Sequence, residues 1–255
     1  MAAEPTSRIK TFIKTYAPAA PLRWLQRWGI RPQYTPAPGR VAFGDFDRLR
    51  PISKDFGYER GGPIDRYYIE HFLQQQAASI RGRVLEIGGN DYTLQFGGKK
   101  VEKSDILHVD DSNPQATYVG DLSNAPHLPD QAFDCIILTQ TLHLIWEYKE
   151  ALKTCYRMLK PGGTFLMTSP GITPIASGAW KEIWYWSFTR LSITRVLQET
   201  FPDAELDIRT YGNAYAASAF LWGLGLPEVS IEKLEVVDEQ YQVIIAAKAV
   251  KPLLP

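Results

Sequence analysis

Arg83-Val84-Leu85-Glu86-Ile87-Gly88-Gly89-Asn90 reads as an apolar burst that ends in an acid and then in two glycines, where the chain must turn sharply. A parallel strand buried on both faces has such a run, and glycine permits the backbone angles of a tight strand-to-helix turn. Ligands of open α/β sheets bind outside the carboxyl ends of the strands. The turn is therefore a candidate ligand loop, provided the pattern of strand followed by acid recurs downstream.

It does recur. Strands are expected at 84–87, 106–109, 133–138, 164–168, 204–209 and 241–249, with a short extended piece at 116–119. Helical spacing of apolar residues marks 65–78, 148–159, 191–200 and 214–224. Lys160-Pro161-Gly162-Gly163 stops the second of these helices, since proline cannot continue a helix and glycine supplies its cap. Strands alternating with helices imply an α/β fold: a seven-stranded, mostly parallel sheet with helices on both faces.

Upstream of this alternation the composition changes. The whole chain of 255 residues carries 28 basic and 28 acidic side chains, so its net charge is zero. Residues 1–50 hold nine of the basic side chains and only three acids, with Pro18, Pro21, Pro32, Pro36 and Pro38 punctuating short helical stretches. We read 1–50 as a basic, Pro- and Trp-rich helical extension, a lid or a partner contact, and 51–255 as the main domain. Ile9, Phe12, Ile13 and Tyr16 share a helical face flanked by Arg8, Lys10 and Lys14, as in a helix packed on the body, a partner-binding arm or a helix lying on a membrane surface.

The zero net charge argues against a nucleic-acid partner. No stretch reaches the roughly 20 apolar residues of a membrane span, and the N-terminus has no apolar signal core. Cys135 and Cys155, the only two cysteines, fall in a strand pattern and a helix pattern and are expected as reduced core thiols of a cytoplasmic protein. No metal site is expected.

Four strand ends carry polar residues. Glu86-Ile87-Gly88-Gly89 is the first. Asp110-Asp111 lies 24 residues after Glu86, where an acid can hold a ribose diol. Gly120-Asp121-Leu122 can accept from an exocyclic amine, and Thr139-Gln140 comes directly after the most apolar strand. The spacing after the first strand is not the Gly-x-Gly-x-x-Gly of dinucleotide proteins, and an acid at Glu86 repels a pyrophosphate on the turn. It suits a ligand with a cationic amine, a nucleoside attached to an amino acid.

These pieces, together with Leu159-Lys160-Pro161-Gly162-Gly163-Thr164-Phe165, resemble the class I S-adenosylmethionine-dependent methyltransferases, particularly the small-molecule branch, over about 62–252. The resemblance implies a Rossmann-like fold and S-adenosyl-L-methionine as cofactor. It implies that Glu86 orients the cofactor's amino-acid end, that Gly88 and Gly89 let the backbone approach it, and that Asp110 holds the ribose with Asp111 beside it. Asp121 and Leu122 are similar to the adenine-contacting pair, and Thr139 and Gln140 present backbone to the methionine part. Tyr67, on a helix like those that close over the cofactor in related enzymes, is a further candidate.

Where the family's run has two more glycines, this chain has Asn90 and Tyr92. Asn90 is expected to take left-handed backbone angles, and Tyr92 to force the loop onto a wider path. His143, just past the fourth motif, is the candidate general base. The dense aromatic segment with Trp184, Tyr185 and Trp186 is the candidate wall for a flat acceptor. The expected function is methyl transfer to a small-molecule acceptor at a hydroxyl oxygen, a sugar or a secondary metabolite. The alternatives are a non-catalytic cofactor-binding module partnering another enzyme, and a nicotinamide-dependent oxidoreductase.

Overall fold

The computed structural model describes residues 35–253. The chain divides into two units, Met1–Arg50 and Pro51–Pro255. Among the described residues of the first there is one 3-10 turn, Gly44–Phe46, with no buried side chain. The amphipathic stretch expected at 9–16 lies outside the described residues.

In the second unit seven strands form one sheet in the order 3-2-1-4-5-7-6. They are β1 Gly82–Ile87, β2 Val101–His108, β3 Tyr118–Val119, β4 Phe133–Thr139, β5 Leu159–Pro170, β6 Glu205–Tyr211 and β7 Ile244–Val250. The pairs among β1 to β5 are all parallel, while β7 runs antiparallel to both β5 and β6. Strand order reverses between β1 and β4, and the crevice outside such a switch point is where open α/β sheets bind ligands.

Alternation along β4 shows why both sheet faces must be covered. Ile136 and Leu138 enter one apolar cluster, and Cys135 and Ile137 enter the other. Successive side chains of a strand point to opposite faces. The first face is covered by α2 Tyr148–Met158 and α3 Arg190–Thr200, and the second by α1 Ile64–Gln75 and α4 Ala214–Leu221. A short helix, α5 Ile231–Leu234, adds buried Leu234 to the second cluster.

On α2 the buried residues are Ala151, Leu152, Cys155 and Met158, one stripe at helical spacing. Each large apolar side chain so buried contributes about 1.5–3 kcal/mol. Both cysteines are buried and free, as core thiols should be, and burial pushes both thiols up.

The run 160–163, expected as a helix stop, lies inside the fifth strand. Leu159 pairs with Phe133 and Thr164 with Cys135, so the intervening residues bulge out of the ladder. Gly162, at φ +76°, takes the left-handed backbone that the bulge requires. The helix expected at 214–224 ends at Leu221.

The loop after β1 departs from expectation at Asn90, which is not among the residues with positive φ. The chain instead enters a helical turn at Asp91-Tyr92 and continues as a π-helical turn, Thr93–Gly97. The wide path expected from Tyr92 takes this form: its ring stacks on Phe96 with centroids 6.1 Å apart.

Candidate functional site

Gly88 makes the turn at the end of β1. Its φ is +90°, its amide donates to the Leu107 carbonyl of β2 at 2.8 Å, and a Cβ at Gly88 or Gly89 would meet no atom within 4 Å. The glycine at 88 is required by the backbone angle. Nothing in the packing fills the space beside either glycine.

Glu86, 4% exposed, organises the loop after β1. One carboxylate oxygen accepts from both the amide and the hydroxyl of Thr93, each at 2.7 Å, and the other accepts from the Tyr92 amide at 3.3 Å. A carboxylate aimed at the first amides of a helical turn satisfies donors that have no partner within that turn. Burial nevertheless pushes the Glu86 carboxyl above its ordinary value. The acid expected to face a ligand thus faces the loop. Asn90 is tied to the Ser104 hydroxyl at 3.2 Å.

The other strand-end acids are exposed and locally capped. Asp110 Oδ1 accepts from the Ser112 amide at 3.0 Å and lies 3.1 Å from His108 Nδ1; the Ser112 contacts, chiefly, hold its carboxyl below the usual range. Asp111 is exposed beside it. Asp121 Oδ1 accepts from the amide and hydroxyl of Ser123, while Leu122 is buried in the first core cluster. Asn113, which the sequence did not single out, donates to the Gly88 carbonyl at 3.0 Å and so links the loop after β2 to the glycine turn.

Beyond β4 the chain turns through Gln140, a non-glycine residue at φ +47°. Its amide donates to the Thr168 carbonyl at 3.0 Å, while Thr139 offers its carbonyl to the Thr141 hydroxyl at 2.8 Å. The strained backbone turns Gln140 into a cavity of about 350 Å³ that it lines with His143, Trp184, Trp180, Asp55, Tyr58 and Asp65, among others. The Gln140 Nε2, His143 Nδ1 and Trp184 Nε1 atoms are all buried without a hydrogen-bond partner among the described residues. Buried polar atoms are ordinarily paired, and these three belong to residues that line one cavity.

His143 is 2% exposed on a 3-10 turn, Leu142–Leu144, with its ring 4.3 Å from that of Trp184. Burial alone lowers its pKa to about 4, and the ring is neutral near pH 7. No carboxylate orients it among the described residues. In the unfolded chain the ring returns to about 6.5, so stability from this group is present above pH 6.5 and is lost as pH falls toward 4. We expect denaturant titrations of His143→Gln to lose less stability over that window than wild type. Asp65, which titrates there with the opposite sign, is common to both proteins and cancels in the comparison.

The aromatic segment divides. Trp184 faces the cavity, but Trp186 packs against the first core cluster, stacks on Trp146 with centroids 5.0 Å apart and donates from Nε1 to the Ile145 carbonyl. Tyr185 lies edge-on to Trp146 at 5.4 Å. Neither lines the cavity, so only one of the three expected wall residues is brought to it. Tyr67 also misses it. It stacks on His71, and its hydroxyl reaches Glu235 at 3.4 Å.

Asp55, Tyr58 and Asp65 line the cavity without having been singled out in the sequence. Ser53 Oγ accepts from the amides of Asp55 and Gly57, Phe56 packs on Phe220 with centroids 5.9 Å apart, and Arg60 pairs with Glu228. These contacts fix 53–60 as one wall. Asp65 sits in the first turn of α1, where burial pushes its carboxyl up to about 6.

Comparison with known proteins finds methyltransferases among both sequences and solved structures. Residues 71–167 match the family model described as a methyltransferase domain. The ubiquinone/menaquinone biosynthesis C-methyltransferase UbiE of Enterobacter sp. is 32% identical over 98 residues, which is 37% of this chain and 37% of that one. The chain therefore spans little more than a third of the length of such curated relatives. Among solved structures, a SAM-dependent methyltransferase from Archaeoglobus fulgidus aligns with a TM-score of 0.48 at 16% identity, over 73% of this chain and 94% of that one. Phosphoethanolamine N-methyltransferase 2 of Haemonchus contortus, in complex with S-adenosyl-L-methionine, aligns with a TM-score of 0.47 at 18% identity, over 84% and 61%.

Proposed function

Residues 71–167 are a methyltransferase domain within a class I S-adenosylmethionine-dependent methyltransferase fold, and from that premise we propose that the chain methylates a hydroxyl oxygen of a small-molecule acceptor. The observation that carries this reading is the cavity beyond the carboxyl ends of β4 and β5, lined by Gln140, His143 and aromatic rings.

The residues fit the cofactor. The unfilled space beside Gly88 and Gly89 suits close approach of its amino-acid end to backbone. Asp110, two residues past β2, suits the ribose hydroxyls, with Asp111 adjacent. Asp121 and the Leu122 backbone suit the adenine, while Thr139 and Gln140 border the methionine part. Glu86 contributes by holding the loop in shape. When bound, S-adenosylmethionine supplies an electrophilic methyl group on a sulfonium.

What the protein adds is alignment, where orientation alone is worth roughly 7–11 kcal/mol. Trp184 and Trp180 offer faces for a ring-shaped acceptor, and Gln140 and the neutral His143 offer hydrogen bonds that turn one hydroxyl toward the methyl group. With its pKa near 4, His143 is a weak proton acceptor, so we assign it to orienting the acceptor. Asp55, the Tyr58 hydroxyl and Ser177 are further polar groups of the lining that a hydroxylated acceptor can meet. The relatives' C-methyltransferase activity is a property of proteins matched over only part of their length.

No helix among the described residues is long and apolar enough to cross a membrane, and we propose that the enzyme works on a diffusible acceptor in the cytoplasm. The reading is tested by following transfer of labelled methyl from S-adenosylmethionine to a panel of sugars, phenols and amines. Label on a hydroxylated acceptor is the expected result; label only on carbon or nitrogen overturns the oxygen assignment. In the same protein, Asp110→Ala should weaken S-adenosylhomocysteine binding about tenfold, on the order of 1.4 kcal/mol, and an unchanged Kd in calorimetry removes the ribose assignment.

A further inference from the structure

The cationic end of the cofactor needs a carboxylate, and the acid that ends β1 is already engaged. Three of the roughly four acceptor positions of a carboxylate are filled on Glu86 by the Thr93 amide, the Thr93 hydroxyl and the Tyr92 amide. All three donors belong to the loop that Glu86 shapes. A ligand ammonium reaching Glu86 would compete with the bonds that build its own site.

We propose that Asp65 is the carboxylate that receives the α-ammonium of S-adenosylmethionine, an inference that rests on the cofactor reading above. Asp65 lines the cavity together with Gln140 and Tyr58. Its charge acts on the Tyr92 phenol, in the loop after β1, as well as on Tyr58.

No cation pairs with Asp65 at ion-pair distance among the described residues, and the Arg66 charge only partly offsets its desolvation. Oδ1 accepts from the Arg66 amide at 2.8 Å, a bond local to the start of α1. The Arg66 side chain turns instead to Glu70, at 3.1 Å, and lies over the Tyr92 ring at 5.9 Å. Among the described residues no lysine or arginine lines the cavity, whereas two carboxylates and four aromatic rings do. Aromatic faces and carboxylates beside a neutral histidine form a cation-accepting surface. Asp55 is the other acid there, but it is exposed at the rim, while Asp65 is desolvated enough to hold its proton up to about pH 6. A desolvated carboxylate gains most from an opposite charge brought beside it.

The experiment is titration calorimetry near pH 7.5 on wild type and Asp65→Asn. Three probes are compared: S-adenosylhomocysteine, its deaminated analogue, and 5′-methylthioadenosine, which lacks the amino-acid end. In wild type, removing the amine should weaken binding at least about tenfold, or roughly 1.4 kcal/mol. In Asp65→Asn that difference should shrink to within about twofold, with methylthioadenosine binding unchanged; the last serves as the check that the variant is folded and its nucleoside site intact. If the variant does not fold, the wild-type comparison decides alone, because equal affinity for the amine and its deaminated analogue overturns the proposal. So does a deamination penalty that persists in Asp65→Asn. If wild type binds none of the three probes, the cofactor reading itself fails and takes the proposal with it, an outcome distinct from loss of amine discrimination alone.

Discussion

Gly88→Val should weaken S-adenosylhomocysteine binding by about 100-fold or more, equivalent to roughly 2.7 kcal/mol, while the protein remains folded. Gly88 sits at φ +90°, a conformation that β-branched residues avoid. The turn that carries it is tied to β2 through its amide. A side chain at 88 would enter space that holds no protein atom within 4 Å, so the fold is strained at one residue but nothing is displaced. The loss falls on the ligand. Gly89→Ala separates the two contributions: residue 89 does not have a positive φ, so alanine there fills space without straining backbone and should cost binding but little stability. Calorimetry and thermal melts on the pair check both statements, and wild-type affinity in Gly88→Val would mean the ligand lies elsewhere.

Glu86→Ala should cost about 3 kcal/mol of stability, because it strands the buried Thr93 amide and hydroxyl and the Tyr92 amide without an acceptor. In a chain of this size that is a fall in Tm of roughly 6–12 °C. Glu86→Gln keeps one acceptor oxygen in the same shape and should cost less. Denaturant titration reads both. An alanine variant as stable as wild type, with binding lost all the same, would return Glu86 to the ligand and remove its structural role.

The sheet was legible in the sequence because buried parallel strands are written as apolar bursts, and 84–87 and 133–138 could be read in no other way. The turn after β1 was legible because the left-handed backbone at Gly88 requires glycine. What stayed hidden came from segments whose contribution depends on packing across the fold. Asp65 and Tyr67 are two residues apart on α1, about 200° around the helix. Tyr67 therefore meets His71 and Glu235, while Asp65 meets the cavity.

Asp55 and Tyr58 reach the site because Ser53, Phe56 and the pairing of Arg60 with Glu228 hold their wall in position. No local pattern announces such long-range ties. For His143 the place beyond β4 is a local signal, whereas its burial against Trp184, which lowers its pKa, comes from packing that no local pattern displays. The departure at Asn90 and Tyr92 signalled a changed loop, while the π-helical turn that resulted depends on Glu86 gathering the amides of Tyr92 and Thr93.

The most direct test is a crystal structure of the protein with S-adenosylhomocysteine. The amino-acid end should lie over Gly88 and Gly89 and beside Asp65, the ribose at Asp110 and the adenine at Asp121. The sulfur should face the cavity lined by Gln140, His143 and Trp184. Ligand bound away from the carboxyl ends of β1 and β4, or with its sulfur turned from that cavity, would contradict this placement.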